Sequence, residues 1–196
     1  MSKYDDLWLG AIQYGILQQK GELVKFMEFL ENEIKPRNFI EIGLCEGATF
    51  YCWSKLTDGI KIGIDYPVYT WNGKDVTYQQ VEQRKRNILN FEPTAHVIIG
   101  DSKTNEVIDE VGKILNGTLV DFLFIDGDHE YAGVKSDYEN YTKYVRSGGV
   151  IVFHDIQKCP NQGEVNRFWE EVKVGKNTLT FIERNDMMGI GVIIKE

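Results

Sequence analysis

Acidic residues, histidines and glycines recur in this chain directly after short apolar runs. Asp126-Gly127-Asp128-His129 follows Val120 to Ile125, and His154-Asp155 follows Val150 to Phe153. Carboxylates and imidazoles placed this way can act as acids and bases or as metal ligands. His129 suits proton removal from a hydroxyl, since an ordinary histidine titrates at about 6.5. It could equally orient Asp128 or cap the helix that starts near Tyr131. His96 lies inside an apolar run and reads as structural. Cys45 has no basic neighbour in sequence and reads as packing rather than as a nucleophile.

Three earlier run ends point to a nucleoside ligand. The turn Glu41-Ile42-Gly43-Leu44-Cys45-Glu46-Gly47-Ala48-Thr49 has glycines before a helix, which let a ligand approach the backbone. A dinucleotide turn needs a second glycine where Cys45 stands, so that a pyrophosphate can come close. Glu46 would add a negative charge beside phosphates. NAD is therefore disfavoured. A cofactor without phosphates and with a positive centre, S-adenosylmethionine, fits better: its ammonium suits acidic groups and its carboxylate suits helix N-terminal amides. Thr49 could add a hydroxyl. Asp65 ends the next run and can accept from both ribose hydroxyls. Gly100-Asp101-Ser102 ends the third, where a carboxylate and an N–H could bracket adenine. The alternatives are a bare strand–helix turn, a turn Asp at position 65, and Ser102 or Asp101 as a helix cap.

Alternating elements must position these residues. Helical spacing runs over Asp5 to Gln19, Glu22 to Ile34 (stopped by Pro36), Ala48 to Leu56, Tyr78 to Asn90, Thr104 to Leu115, Tyr131 to Val145 and Glu164 to Val172. Between them, Phe39–Ile42, Ile60–Ile64, His96–Ile99, Val120–Ile125 and Val150–Phe153 read as strands. Strand–helix alternation predicts a parallel sheet covered on both faces, with ligands at the strands' carboxyl ends. Leu179–Glu183 and Gly189–Ile194 read as a hairpin added at one edge. Tyr66 to Thr77 reads as a long loop whose Tyr66, Tyr69, Trp71 and neighbouring Tyr78 could wall a substrate pocket. Tyr4, Trp8 and Tyr14 read as packing of the first helix, and Phe168 or Trp169 as packing of a late one.

Glu41-Ile42-Gly43 with Gly47, Asp65, Gly100-Asp101-Ser102, Asp126-Gly127-Asp128-His129 and Gly148-Gly149-Val150-Ile151-Val152-Phe153-His154-Asp155 resemble the class I S-adenosylmethionine-dependent methyltransferases. More narrowly, the stretch from Asp121 to Ile156 is similar to a small methyltransferase family that includes cephalosporin-hydroxylase-like proteins. The resemblance implies an α/β, Rossmann-like, seven-stranded and mostly parallel sheet with helices on both faces and a C-terminal antiparallel hairpin. It divides the chain into an N-terminal helical cap (1–36) and a methyltransferase α/β domain (37–196). Related O-methyltransferases bind Mg²⁺ through positions matching Asp126, His154 and Asp155. His154 departs from an all-oxygen set, so either it turns away or the ion is softer, such as Mn²⁺, Fe²⁺ or Zn²⁺. Alternatively His154 and Asp155 satisfy backbone groups at the strand end.

The expected function is methyl transfer from S-adenosylmethionine to an oxygen of a small molecule, with a divalent metal (Mg²⁺ or Mn²⁺) as a candidate helper. His129 and Asp126 are the expected catalytic residues. Glu41, Gly43, Glu46, Gly47, Thr49, Asp65, Gly100, Asp101, Ser102 and Asp126 are expected around the cofactor. The competing readings are an NAD-dependent oxidoreductase and an inactive nucleotide-binding scaffold. The 196 residues carry 22 basic and 30 acidic side chains, a net charge of −8, which argues against bulk nucleic acid or an anionic membrane surface as partner. No apolar run approaches the length of a membrane span. Cys45, Cys52 and Cys159 form no CxxC, which suits free thiols and a cytoplasmic location. A homo-oligomer is compatible with all of this.

Overall fold

The computed structural model describes residues 2–71, 73–158 and 163–196. Seven strands form one sheet, β1 (Phe39–Ile42), β2 (Lys61–Asp65), β5 (His96–Ile99), β6 (Val120–Ile125), β7 (Val145–His154), β8 (Thr178–Phe181) and β9 (Ile190–Ile194), in the order β5-β2-β1-β6-β7-β9-β8. The first five are parallel to one another, while β9 runs antiparallel to both β7 and β8. Strand order reverses beside β1, so β1 and β6 diverge into helices on opposite faces and leave a crevice above their ends. This is the mostly parallel sheet with an antiparallel finish expected from the sequence.

Alternation along the strands sorts side chains between two cores. Ile40, Ile42, Leu123, Ile125, Ile151 and Phe153 pack against α5 (Asn105–Leu115), α6 (Tyr131–Tyr141) and α7 (Val165–Val172). Phe39, Phe122, Phe124, Val150 and Val152 face the other way, toward α1 (Lys3–Ala11), α2 (Lys20–Phe29), α3 (Ala48–Leu56) and α4 (Tyr78–Phe91). Leu23, Phe26 and Met27 of α2 and Leu30 of the turn that follows it belong to this second core and are fully buried. The same parity carries Asp126 and His154, two residues beyond Phe124 and Val152, toward the cap. Phe168 and Trp169 point inward as expected, and Tyr14 packs on Tyr51 and Phe91.

Several element boundaries differ from the sequence reading. The first helix stops at Ala11 and passes through a 3-10 turn to Gly15, whose φ of 70° ends it. That termination frees residues 15–19 to cross the mouth of the crevice. The second helix closes in a π turn over Leu30–Ile34, with Lys35 left-handed before Pro36. The stretch read as a loop after Asp65 contains a small hairpin, β3 (Tyr69–Trp71) with β4 (Lys74–Val76). β7 starts earlier than expected, with a register shift between Val120 and Phe122. His96 is exposed at the start of β5. Cys159 lies outside the described residues.

Candidate active site

A cavity of about 810 Å³ opens above the carboxyl ends of β1, β2, β5, β6 and β7. Its floor is set by backbone geometry. Gly43 has φ +88°, and a Cβ there would stand 2.1 Å from the carbonyl oxygen of Asp126. Only glycine lets the β1 and β6 ends approach this closely. Gly47 is left-handed too, and an added Cβ would meet Ile88 at 2.7 Å. Cys45, between them, also has positive φ, and burial raises its thiol pKa, which keeps it from being a ready nucleophile.

At the β2 end, Asp65 is 7% exposed. Its Oδ1 accepts from the Tyr66 N–H at 3.0 Å, while Oδ2 is buried with no partner. Burial pushes its pKa up to about 7, against the pull of Arg84. An orphaned buried carboxylate oxygen on a cavity wall is costly unless a donor comes to it. Tyr66 and Tyr69 line this end of the cavity rather than the acceptor end, and Tyr78 is exposed and does not line it. The Trp71 side chain lies outside the described residues. Gly100, Asp101 and Ser102 form the wall beyond. The Asp101 side chain accepts from the Lys103 N–H at 3.0 Å, and Ser102 donates to the buried Asp137 at 2.6 Å. Ser102 therefore does not cap α5, whose N-cap is Thr104.

Three expected cofactor contacts are placed differently. Glu41 points to the aromatic face beneath the cavity, is fully buried, and does not line it. Burial raises its carboxyl well above the ordinary range, and it accepts a hydrogen bond from Thr49. Thr49 thus reaches the cavity wall, but its hydroxyl proton is committed to Glu41. Glu46 lines the cavity, yet Arg84 holds its carboxylate at 2.6 Å and also donates to Tyr69. Arg84 lies far along the chain on α4, and nothing local in the sequence links it to Glu46.

The opposite end is dense with charge. Asp126 Oδ1 stands 3.2 Å from His154 Nδ1 and 3.5 Å from His129 Nε2, while Oδ2 accepts from Gln18 at 3.0 Å. His129 Nδ1 is 3.5 Å from Asp155 Oδ2, and His154 Nδ1 is 3.5 Å from Asp155 Oδ1. Asp155 carries φ 59°, a left-handed backbone that aims its carboxylate back into the cluster. Burial would raise Asp126, but His154 and His129 hold it below the ordinary carboxylate range. Burial disfavours charge on His154, yet Asp126, Glu22 and Asp155 outweigh it and raise its pKa well above the usual value. The hydrogen bond with Asp126 likewise raises His129. Of Asp126, Asp128, His129, His154 and Asp155, which the sequence reading grouped, the structure brings all but Asp128 together; Asp128 pairs instead with Lys103 at 3.1 Å and accepts from the Glu130 N–H. The sequence reading missed Gln18 and Glu22, which the topology delivers from the N-terminal cap.

Asp126, His154 and Asp155 each offer a ligand atom, all within 4.8 Å of one another. Donors bound to one ion at about 2.1 Å stand roughly 3.0–3.4 Å apart in octahedral or tetrahedral geometry. The His154–Asp126 separation of 3.2 Å falls in that range and the His154–Asp155 separation of 3.5 Å lies just beyond it. Asp155 Oδ1 is buried with no hydrogen-bond partner. The cluster therefore fits a divalent cation.

Comparison with known proteins agrees with this fold. Residues 40–156 match a family described as a methyltransferase domain. The uncharacterised protein y4gI of Sinorhizobium fredii is 23% identical over 80% of the chain, and the chain spans only 17% of that relative's length. A Staphylococcus aureus structure described as a caffeoyl-CoA O-methyltransferase is 19% identical, with a TM-score of 0.66 over 100% of this chain and 93% of its own. MycE methyltransferase from the mycinamycin biosynthetic pathway, solved with Mg, SAH and mycinamycin VI, is 15% identical, with a TM-score of 0.62 over 99% of this chain and 54% of its own. Among the described residues, no helix is long and apolar enough to cross a membrane.

Proposed function

The chain belongs to the methyltransferase-domain family, and from that premise we propose that it transfers a methyl group from S-adenosylmethionine to an oxygen of a small-molecule acceptor. The observation that carries the reading is the polarity of the cavity: an orphaned buried carboxylate, Asp65, stands at one end and an aspartate–histidine cluster at the other. S-adenosylmethionine supplies a sulfonium-bound methyl group. Asp65 Oδ2 accepts from the ribose hydroxyls, which are the donors it lacks. The left-handed turn at Gly43–Gly47 lets the methionine end lie against backbone, and Asp101 with the Ser102 N–H faces the adenine. NAD is not favoured, because Cys45 stands where a pyrophosphate would need glycine.

At the other end, Asp155 holds His129 on its Nδ1 side. The Nε2 face then stays on the Asp126 side of the cavity to take the acceptor's proton. Asp126 stabilises the imidazolium that forms. Gln18, by donating to Asp126, fixes that carboxylate and brings the cap over the acceptor. Asp126, His154 and Asp155 are the residues that would hold a metal ion, which would lower the pKa of an acceptor hydroxyl. Most of the rate gain comes from holding the acceptor oxygen in line with the methyl group.

A labelled-methyl assay tests this. The protein is incubated with methyl-labelled S-adenosylmethionine and acceptors bearing phenol, catechol or sugar hydroxyls, or amines. Label on oxygen that disappears in Asp126→Asn supports the reading. Label found only on nitrogen acceptors, or hydride transfer from NADH in its place, refutes it.

A further inference from the structure

Glu22 takes no part in the chemistry proposed above, yet it is a fully buried carboxylate beside the cluster. Its Oε2 accepts from the Gly189 N–H at 3.0 Å, and its Oε1 accepts from the Gln19 N–H at 3.3 Å. The same Oε1 stands 3.5 Å from His154 Nε2, a buried nitrogen with no other partner. The His154 ring, only 4% exposed and stacked on Phe124, thus turns its two nitrogens in opposite directions. Nε2 faces a carboxylate delivered by the cap. Nδ1 faces Asp126 Oδ1 and the unpartnered Asp155 Oδ1.

Metal-bound histidines commonly give their second N–H to a carboxylate, which fixes the tautomer and the ring orientation. Here that leaves Nδ1 as the donor between two carboxylates. The hydrogen that Nδ1 shares with Asp126 is the one an incoming ion displaces, while the Nε2 hydrogen stays with Glu22. A nitrogen donor also changes which ion suits the site. Mg²⁺ is hard and takes oxygen ligands in near-ideal octahedral geometry. Mn²⁺ and Zn²⁺ accept imidazole beside carboxylates, with the stronger preference for Zn²⁺. We propose that Glu22 orients His154 as a nitrogen ligand, so that the Asp126–His154–Asp155 cluster prefers a divalent transition ion to Mg²⁺. The inference rests on the metal-assisted reading above and adds to it the class of ion and the part played by the cap.

The test titrates the chelator-stripped full chain separately with MgCl₂, MnCl₂ and ZnCl₂, and with S-adenosylhomocysteine as a check on the folded cofactor site. Wild type is expected to bind Mn²⁺ and Zn²⁺ at least about tenfold more tightly than Mg²⁺. Glu22→Gln keeps the shape but removes the charge facing Nε2. It is expected to weaken Mn²⁺ and Zn²⁺ binding about 10–100-fold while S-adenosylhomocysteine affinity stays unchanged. His154→Gln, a second variant, is expected to lose the transition-ion preference altogether. Zn²⁺ should also shift one histidine Nδ1 nitrogen resonance of wild type, and that shift should be missing from His154→Gln. Unchanged metal affinity in Glu22→Gln overturns the orienting role. Tightest binding of Mg²⁺, or a preference that survives His154→Gln, overturns nitrogen ligation. A wild-type protein that binds S-adenosylhomocysteine but none of the three ions removes the metal-assisted reading itself, and the inference with it.

Discussion

Asp65 and Asp126 are the same residue type, both at strand ends, both in the wall of one cavity, and their carboxyls are driven in opposite directions. Asp65 is buried, and burial lifts its pKa to about 7 although Arg84 and backbone N–H groups pull the other way. Asp126 is held below the ordinary range by His154 and His129 despite burial, and Gln18 donates to its other oxygen. The cofactor end leaves a buried carboxyl oxygen without a partner, and so stores a cost that a diol-bearing ligand relieves. At the acceptor end His154 and His129 compensate Asp126 in advance, and Asp155 Oδ1 is left for a proton or a cation. One half is built to be completed by binding; the other is built to act on what binds.

The sharpest break between the halves is His129→Ala. It is expected to lower turnover about 10²–10⁴-fold, the usual range for loss of a general base, while S-adenosylhomocysteine affinity is retained. Steady-state rates and calorimetry on the same preparation check both. In wild type the rate should rise with pH through an ionisation above the ordinary histidine value, because Asp126 raises His129 and only neutral imidazole accepts the proton. A flat profile would leave His129 as a wall of the pocket.

Asp65→Ala is the complementary break. Charge-assisted hydrogen bonds contribute about 1.5–3 kcal/mol, so S-adenosylhomocysteine binding should weaken roughly 10–150-fold. The pH dependence sharpens this. Ribose hydroxyls need the ionised acceptor, so wild-type affinity should increase as pH rises through about 7, with proton release on binding. Calorimetry in buffers of different ionisation enthalpy measures that release, and Asp65→Asn should abolish it. For the free protein the sign is the reverse. Asp65 is raised in the folded state, so its stabilising contribution is complete below about pH 4 and is lost as pH rises through about 7. Asp137, also near 7 through burial, adds to the same loss. Asp65→Asn should therefore show a shallower fall in melting temperature from pH 4 to 7 than wild type. The smallest expected effect is that of Gln18→Ala, a several-fold rise in acceptor KM with cofactor affinity unchanged, since it removes one hydrogen bond to Asp126.

What could be read from sequence follows how each contact is made. Asp65, Asp126, His129, His154 and Asp155 are strand-end residues, and a parallel sheet necessarily collects strand ends at one edge. Gly43 was legible because a tight strand–helix turn needs it. Alternation counted back through Phe124 and Val152 would also have assigned Asp126 and His154 to one face, a step the strand-end reading did not take. Parity puts Glu41 on this same face, through Phe39, but Glu41 lies within β1, below the strand end, whereas Asp126 stands just past the end of β6. Gln18, Glu22 and Arg84 were not legible. Each reaches the site by tertiary packing of a helix or its approach segment, and a polar residue on an amphipathic helix carries no local mark of what it will meet. The hairpin after Asp65 was missed because its strands, Tyr69–Trp71 and Lys74–Val76, are only three residues each, too short to show a period.

Calorimetric titration of S-adenosylhomocysteine into wild type and Asp65→Ala, with NADH titrated in parallel, tests the central claim most directly. The expected result is saturable binding of about one S-adenosylhomocysteine per chain, weakened roughly 10–150-fold in the variant, with no saturable binding of NADH. Equal affinity in the two proteins, or micromolar NADH binding in the absence of S-adenosylhomocysteine binding, would contradict it.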